Sequence, residues 1–404
     1  MKKIDFSSAE KPGSYTEKRN CPLCKSKRSK SVLRFDNFQF LTDSLEYSKT
    51  VDIDIHMCDE CETIFNNPVY TDIGFNNLFS EMAHSYGMTE GRTLEQIDYL
   101  NEIGVLDNTR SVLDLGCYRG EFLSHFPDNL EKDGIDIDLP SISLAKQQFP
   151  KANFFCQDLE KFNTGKKYDL IVMLHVLEHL KNPLEVLINI LNSSHKDTYL
   201  LIEVPILENG FTNDVNGFFS AQHLTHFSRN SLKNFFKHAG WEIIRLDEQP
   251  SYNGTRVIAK PSLKKHMKYV PEITEDTGIL YSYLRHWYNI LQDVEEKLKR
   301  SSENNKFIIW GAGLHTEFLF NKTSFFRKNK ELEFLFFDSD PAKIGRTYRG
   351  VQIVPPFTNM KKSYFDTPIV LSSYRGTESM KVECIKHGWD EDKIISFYDY
   401  YSLY

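Results

Sequence analysis

The chain is 404 residues long, 40% hydrophobic, 13% aromatic and 26% charged, with a formal net charge of -7 at pH 7. At ~150 residues per domain this length points to two or three globular units, and Lys and Arg are scattered rather than gathered into the basic stripe of a nucleic-acid binder. No apolar run approaches the ~20 residues of a spanning helix and no apolar core follows the lysines of "MKKIDFSSAEKPGS", so a membrane or nucleic-acid partner is excluded and a cytoplasmic protein is expected.

Residues 1–82 come first and are predicted to be stapled by metal. "CPLC" places Cys21 and Cys24 in one C-x2-C turn, and "CDEC" places Cys58 and Cys61 in a second, with 33 residues between the pairs. Thiols in a reducing compartment are poor disulfide formers. Two such turns supply four thiolates, the donor set of a closed tetrahedral Zn2+ site. A redox pair needs neither the second copy nor a place outside a βαβ unit. Cys117, Cys156 and Cys384 read as packing residues. Between the cysteine turns there is little sustained helical or strand periodicity.

Over residues 83–260 the runs "SVLDL", "DGIDI", "ANFFC", "YDLIVML" and "TYLLIEV" alternate with amphipathic segments. That alternation predicts an α/β fold, a mostly parallel sheet wound with helices. Residues 261–302 carry a long helical pattern, read as a connecting helix. The alternation returns over 303–404 in "KFIIW", "EFLFFD", "PIVLSS" and "KIISF", a second and smaller α/β unit.

The richest stretch is "LDLGCYRGEF". The strand ends at Asp114 and Leu115, Gly116 permits a tight turn, and Gly120 lets the next helix sit close to the strand. The pattern is D-x-G-x-x-x-G rather than the G-x-G-x-x-G of a dinucleotide site, and Tyr118 stands where a middle glycine would admit a pyrophosphate. About 20 residues on, "GIDID" offers Asp136, placed to accept both hydrogen bonds of a ribose diol. "CQDLE" then offers Asp158, a carboxylate able to receive an adenine amino group. An adenosine ligand without a pyrophosphate satisfies all of these.

Taken in order, "VLDLGCYRGEFL", "GIDID", "QDLE" and "YDLIVMLHVLEHL" resemble the successive motifs of class I S-adenosylmethionine-dependent methyltransferases. The resemblance implies S-adenosylmethionine as cofactor, held by Asp114, Gly116, Gly120, Asp136 and Asp158, with Tyr86 of "HSYGMTE" similar to a family tyrosine near it. The order of an N-terminal double C-x2-C unit, a methyltransferase domain with an antiparallel closing hairpin at "PSYNGTRVIAK", and a C-terminal Rossmann-like unit is similar to the methyltransferases of nucleotide-linked deoxysugars. This implies structural zinc on Cys21, Cys24, Cys58 and Cys61, and a sugar or nucleotide sugar as acceptor. A monomer or a homodimer is expected. The other readings are a non-sugar metabolite as acceptor, or a zinc-stapled binding protein without activity.

The C-methylating members share a Tyr-x-Glu-His cluster, and here the matching positions are Ser220, Ala221, Gln222 and His223. Gln222 cannot take up a proton and Ser220 lacks the acidity of a phenol, so O- or N-methylation is expected, with His223 or His226 as base. In "HVLEHL", His175, Glu178 and His179 come to one face if the segment starts a helix; His179 matches a family active-site histidine, Glu178 is a second catalytic candidate, and the resemblance favours pocket lining over a metal site on the three. Near the C-terminus Gly311 and Gly313 repeat the strand-to-helix turn, with Asp338 ending the next strand. Thr316 in place of a third glycine speaks against bound NAD and for a vestigial or nucleotide-sugar-facing turn.

Overall fold

Successive residues of a strand face opposite sides of its sheet, and the middle of the chain buries both sides. Val112, Leu170, Val172 and Leu201 pack with Tyr99 and Leu100 of helix Arg92–Glu102 and with Ile142 and Ala145 of helix Leu139–Gln148. Their chain neighbours Leu113, Ile171, Met173 and Ile202 pack on the other face with helices Pro183–Ile190 and Arg229–Ala239. The computed structural model describes residues 2–5, 15–41, 47–79, 91–212, 218–247, 253–262, 272–301, 305–328, 331–358, 360, 364–373 and 376–397.

The central sheet has seven strands in the order Trp241–Leu246, Gly254–Pro261, Ser194–Pro205, Tyr168–Leu174, Ser111–Leu115, Glu131–Asp136 and Asn153–Cys156. Gly254–Pro261 alone runs against its neighbours. Its turn lies partly outside the described residues. All five predicted strand segments are present.

The N-terminal sheet is a departure from the aperiodic reading. Ser29–Leu41 and Tyr47–Cys58 form a long antiparallel pair. The register slips between Ser31 and Leu33 and again between Phe35 and Phe38, and each extra residue turns the following side chains to the opposite face. A period of two is thereby erased from the first strand, although Val51, Ile53, Ile55 and Met57 keep it on the second. This sheet also takes in Thr225–His226 from the middle of the chain, antiparallel to Ile64–Asn66.

The C-terminal sheet has six strands, ordered Thr347–Tyr348, Val351–Val354, Glu333–Phe337, Lys306–Trp310, Ile369–Leu371 and Ile394–Ser396. Helix Asp276–Arg300, expected as a connector, is part of a shared core. Its Leu280, Tyr283, Trp287, Leu291, Val294 and Leu298 recur at helical spacing and join one cluster with Phe35 and Phe38 of the N-terminal sheet and Phe307 and Ile309 of the C-terminal one. Each such side chain contributes ~1.5–3 kcal/mol on leaving water. Among the described residues no helix is long and apolar enough to cross a membrane.

Candidate active site

The carboxyl ends of Ser111–Leu115, Glu131–Asp136 and Tyr168–Leu174 meet where the strand order reverses, the crevice at which doubly wound sheets bind ligands. A cavity of about 430 Å³ opens there. Two groups of residues line it: Asp114, Gly116, Tyr118, Asp136 and Asp158, and then His175, Glu178, His179, Gln222 and His223.

In the first group the backbone is the device. Gly116 has φ +84°, and a Cβ there would lie 2.2 Å from Val176 Cγ2. Tyr118 has φ 48°, a left-handed conformation that costs a non-glycine residue about 1–2 kcal/mol. Its N–H donates to Asp136 Oδ2 at 2.9 Å, and that of Asp138 donates to Oδ1 at 2.9 Å, which offsets the strain. Tyr118 thus holds a left-handed conformation that glycine adopts at no steric cost. Burial raises the Asp136 carboxyl against these donors. Burial, with the Asp136 charge beside it, pushes Asp114 up to about 8. Asp158 reaches the cavity, its Oδ1 accepting the Glu160 N–H at 2.9 Å. Gly120 does not line the cavity; a Cβ there would meet Phe154 Cζ at 2.5 Å, so its place is helix-to-strand packing.

The second group gathers around Glu178. Only Leu177–His179 is helical, as a single 3-10 turn, so His175 does not share its face. At φ 55°, His175 turns its Nε2 to Glu203 Oε1 at 2.9 Å and leaves Nδ1 3.6 Å from Glu178 Oε1. Burial lowers His175, but Glu178 and Glu203 outweigh it and raise the imidazole to about 9. Glu178 is 1% exposed, and neither carboxylate oxygen has a hydrogen-bond partner among the described residues. Burial pushes its pKa up; His179, His175 and His223 reverse this and hold it at about 2. His179 Nε2 lies 3.7 Å from Glu178 Oε1.

The tautomers follow from the partners. His179 Nδ1 faces the Gln222 carbonyl at 2.8 Å and His223 Nδ1 faces the Phe218 carbonyl at 2.8 Å. A carbonyl only accepts, so both Nδ1 atoms carry hydrogen. Burial and then His179 lower His223 to about 4, leaving it neutral at pH 7. The remaining expectations lie elsewhere. His226 is buried against Phe218 and Phe219 with Nε2 at 2.9 Å from Asn66 Oδ1, and it does not line the cavity. Ser220 Oγ accepts the N–H groups of Gln222 and His223, shaping the loop. Tyr86 lies outside the described residues.

Residues 88–246 match the family model described as "Methyltransferase domain". The chain is also similar to the putative methyltransferase 235L of Invertebrate iridescent virus 6, 28% identical over 146 residues, which are 35% of this chain and 54% of the relative. Residues 88–246 therefore carry a methyltransferase domain. The chain spans about half the length of that curated relative. Among solved structures, an S-adenosylmethionine-dependent methyltransferase from Clostridium acetobutylicum is 11% identical, with a TM-score of 0.37 over 46% of this chain and 98% of that one. The plantazolicin methyltransferase BpumL, solved with a triazolic desmethylPZN analog and SAH, is 15% identical, with a TM-score of 0.37 over 46% of this chain and 88% of that one.

The loop that carries His223 is held to the methyltransferase domain from outside it. Each cysteine turn closes alike: the Lys25 N–H donates to the Cys21 carbonyl and the Glu62 N–H to the Cys58 carbonyl, both at 3.0 Å, with Lys25 and Glu62 at φ 61° and 58°. The sulfurs of Cys21 and Cys61 are 3.6 Å apart, and those of Cys24 lie 3.5 Å from Cys58 and from Cys61. A tetrahedron with ~2.3 Å Zn–S bonds has edges of ~3.8 Å, so the four sulfurs fit one metal ion. The second turn leads into Ile64–Asn66, which pairs with Thr225–His226. Arg19, which sequence reasoning missed, completes the junction. Its guanidinium donates to the carbonyls of Asn66 and Lys181 at 2.9 Å each and to that of Leu224. A lone arginine two residues before Cys21 gives no signal in the sequence.

In the C-terminal unit the second glycine turn is tied to the strand that follows it. Asp338 accepts the N–H groups of Ala312 and Asp340 and lies 3.1 Å from Lys343 Nζ. Gly311 sits where a Cβ would strike the Ser372 carbonyl at 2.4 Å.

Proposed function

We propose that the chain transfers a methyl group from S-adenosylmethionine to an oxygen or nitrogen of a small-molecule acceptor, a sugar or nucleotide-linked sugar. One observation carries this reading: a single cavity is lined both by Asp114, Gly116, Asp136 and Asp158 and by Glu178, His179 and His223. Asp136 would accept the ribose hydroxyls and Asp158 the adenine amino group, while the bend at Gly116 keeps side-chain bulk out of the cofactor's way. When bound, the cofactor supplies a methyl carbon on a positively charged sulfur. The chain's own contribution is alignment, which removes much of the entropic barrier to displacement, and a destination for the acceptor's proton among the imidazoles of His223 and His179. Methylation at carbon is disfavoured because Ser220 and Gln222 replace the proton-handling tyrosine and glutamate. The four cysteines would hold a structural Zn2+ that fixes the edge of the His223 loop and does no chemistry, since four thiolate ligands leave no open position.

The test is incubation of the full chain with radiolabelled S-adenosylmethionine and a panel of nucleotide sugars, with NMR of the product. An O- or N-methyl sugar is expected. A C-methyl product, or label appearing only in non-sugar metabolites, would overturn the acceptor assignment.

A further inference from the structure

Glu178, His179 and His223 each offer one ligand atom, and these atoms lie within 4.8 Å of one another. Two independent features point to an occupant between them. The Glu178 carboxylate is 1% exposed and without a hydrogen-bond partner among the described residues; His175 Nδ1 and His179 Nε2 stand off at 3.6 and 3.7 Å, beyond hydrogen-bond length, so its oxygens keep their lone pairs for a closer ligand. Both imidazoles commit Nδ1–H to a backbone carbonyl, at 2.8 Å each, so in the neutral ring each Nε2 carries a lone pair. An imidazole pinned by its other N–H to a carbonyl is the arrangement of a metal-ligating histidine. His175 stands behind the carboxylate at 3.6 Å, and it is itself held by Glu203.

We propose that Glu178, His179 Nε2 and His223 Nε2 hold a divalent first-row transition-metal ion whose remaining positions open into the cavity and take two adjacent oxygens, or an oxygen and a nitrogen, of the acceptor. Two imidazoles and one carboxylate suit Zn2+, Mn2+, Fe2+ or Co2+ better than the all-oxygen preference of Mg2+ or Ca2+. Three protein ligands leave coordination positions free, as in metal sites that act on substrates and unlike the closed cysteine set. Ligands ~2.1 Å from one centre lie roughly 3–3.5 Å apart, so side-chain closure of about 1 Å completes the site. The proposal rests on the reading that the acceptor meets this wall of the cavity, and it narrows the acceptor to a chelating one such as a vicinal diol or amino alcohol. In the loaded site His223 is a ligand rather than the base. The acceptor's O–H bond then breaks with its electron pair held by the metal-bound oxygen, and the proton passes to water.

Metal-depleted full chain titrated with Co2+ tests this without any turnover. Two equivalents are expected per chain: one with intense sulfur-to-cobalt charge-transfer bands from the cysteines, and one with only weak visible bands. Glu178→Gln and His223→Ala should each lose the second equivalent alone. Their S-adenosylmethionine affinity, measured by calorimetry, should stay within about twofold of wild type and so report an intact fold. A wild-type chain that takes one equivalent, or variants that keep both, would overturn the metal site. Failure of the wild-type chain to bind S-adenosylmethionine would instead sink the methyl-transfer reading and leave the cobalt count standing.

Discussion

The two walls of the cavity are built by opposite means. The wall of Asp114, Gly116, Tyr118 and Asp136 comes from two adjacent strands and the turn between the first strand and its helix, so local backbone geometry sets it. The wall of Glu178, His179 and His223 joins segments 43 residues apart through the His179–Gln222 hydrogen bond, and its loop is secured by Arg19 and by strand Ile64–Asn66 of the N-terminal sheet. The first should survive disturbance of the N-terminal unit. The second should not.

The largest effect that would sharpen this contrast is expected from Cys58→Ser with Cys61→Ser. Loss of the proposed Zn2+ staple should cut turnover by ~10³-fold or more, a structural Zn2+ being worth many kcal/mol to its unit, while calorimetry still shows S-adenosylmethionine binding within about tenfold of wild type. Equal collapse of both would break the comparison. Asp136→Ala should weaken S-adenosylmethionine binding by ~100-fold, since hydrogen bonds to a charged acceptor contribute about 1.5–3 kcal/mol; unchanged affinity would contradict the ribose role. His223→Ala should do the converse, lowering kcat by ~30- to 100-fold with cofactor affinity intact, whether the imidazole takes the acceptor's proton or holds the proposed metal ion. Arg19→Lys removes the fork that spans three carbonyls and keeps the charge. A ~10-fold fall in kcat is expected from a residue that does not line the cavity, and no change would show that the strand pairing suffices.

The smallest expected effect concerns pH. Asp114 is 3% exposed and pushed up to about 8, whereas its unfolded value is ~3.9. The folded state thus binds more protons than the unfolded one between about pH 4 and 8, and stability falls as pH rises through that window, by at most ~1.4 kcal/mol per unit. Asp114→Asn should flatten the slope in urea titrations at pH 6 and 7. A steeper slope would reverse the assignment.

The same contrast explains what the sequence disclosed. A strand of alternating apolar residues, a glycine turn and paired C-x2-C spacings are local, so the central sheet, Gly116 with Asp136, and the four cysteines are legible directly. His223 beside His179 is not, because nothing within either segment encodes which carbonyl its Nδ1–H will find. Arg19 and the pairing of Ile64–Asn66 with Thr225–His226 are invisible for that reason too. The long strand Ser29–Leu41 was hidden by its two register slips. Helix Asp276–Arg300 was readable as a helix, but not as one with a core on both ends, since its apolar stripe does not say how many partners it meets.

That stripe also decides how small the protein can be made. Among the described residues every one that lines the cavity lies before Gly254, so a chain cut after Pro261 would keep this constellation of reacting groups. It would also strip Leu280, Tyr283 and Trp287 from Phe35, Phe38 and Val51 and bare a broad greasy patch next to a strand edge, the combination that makes polypeptides clump. A chain cut there is expected to collect in inclusion bodies instead of giving a miniature enzyme, and a soluble, folded product would show that this shared core is dispensable.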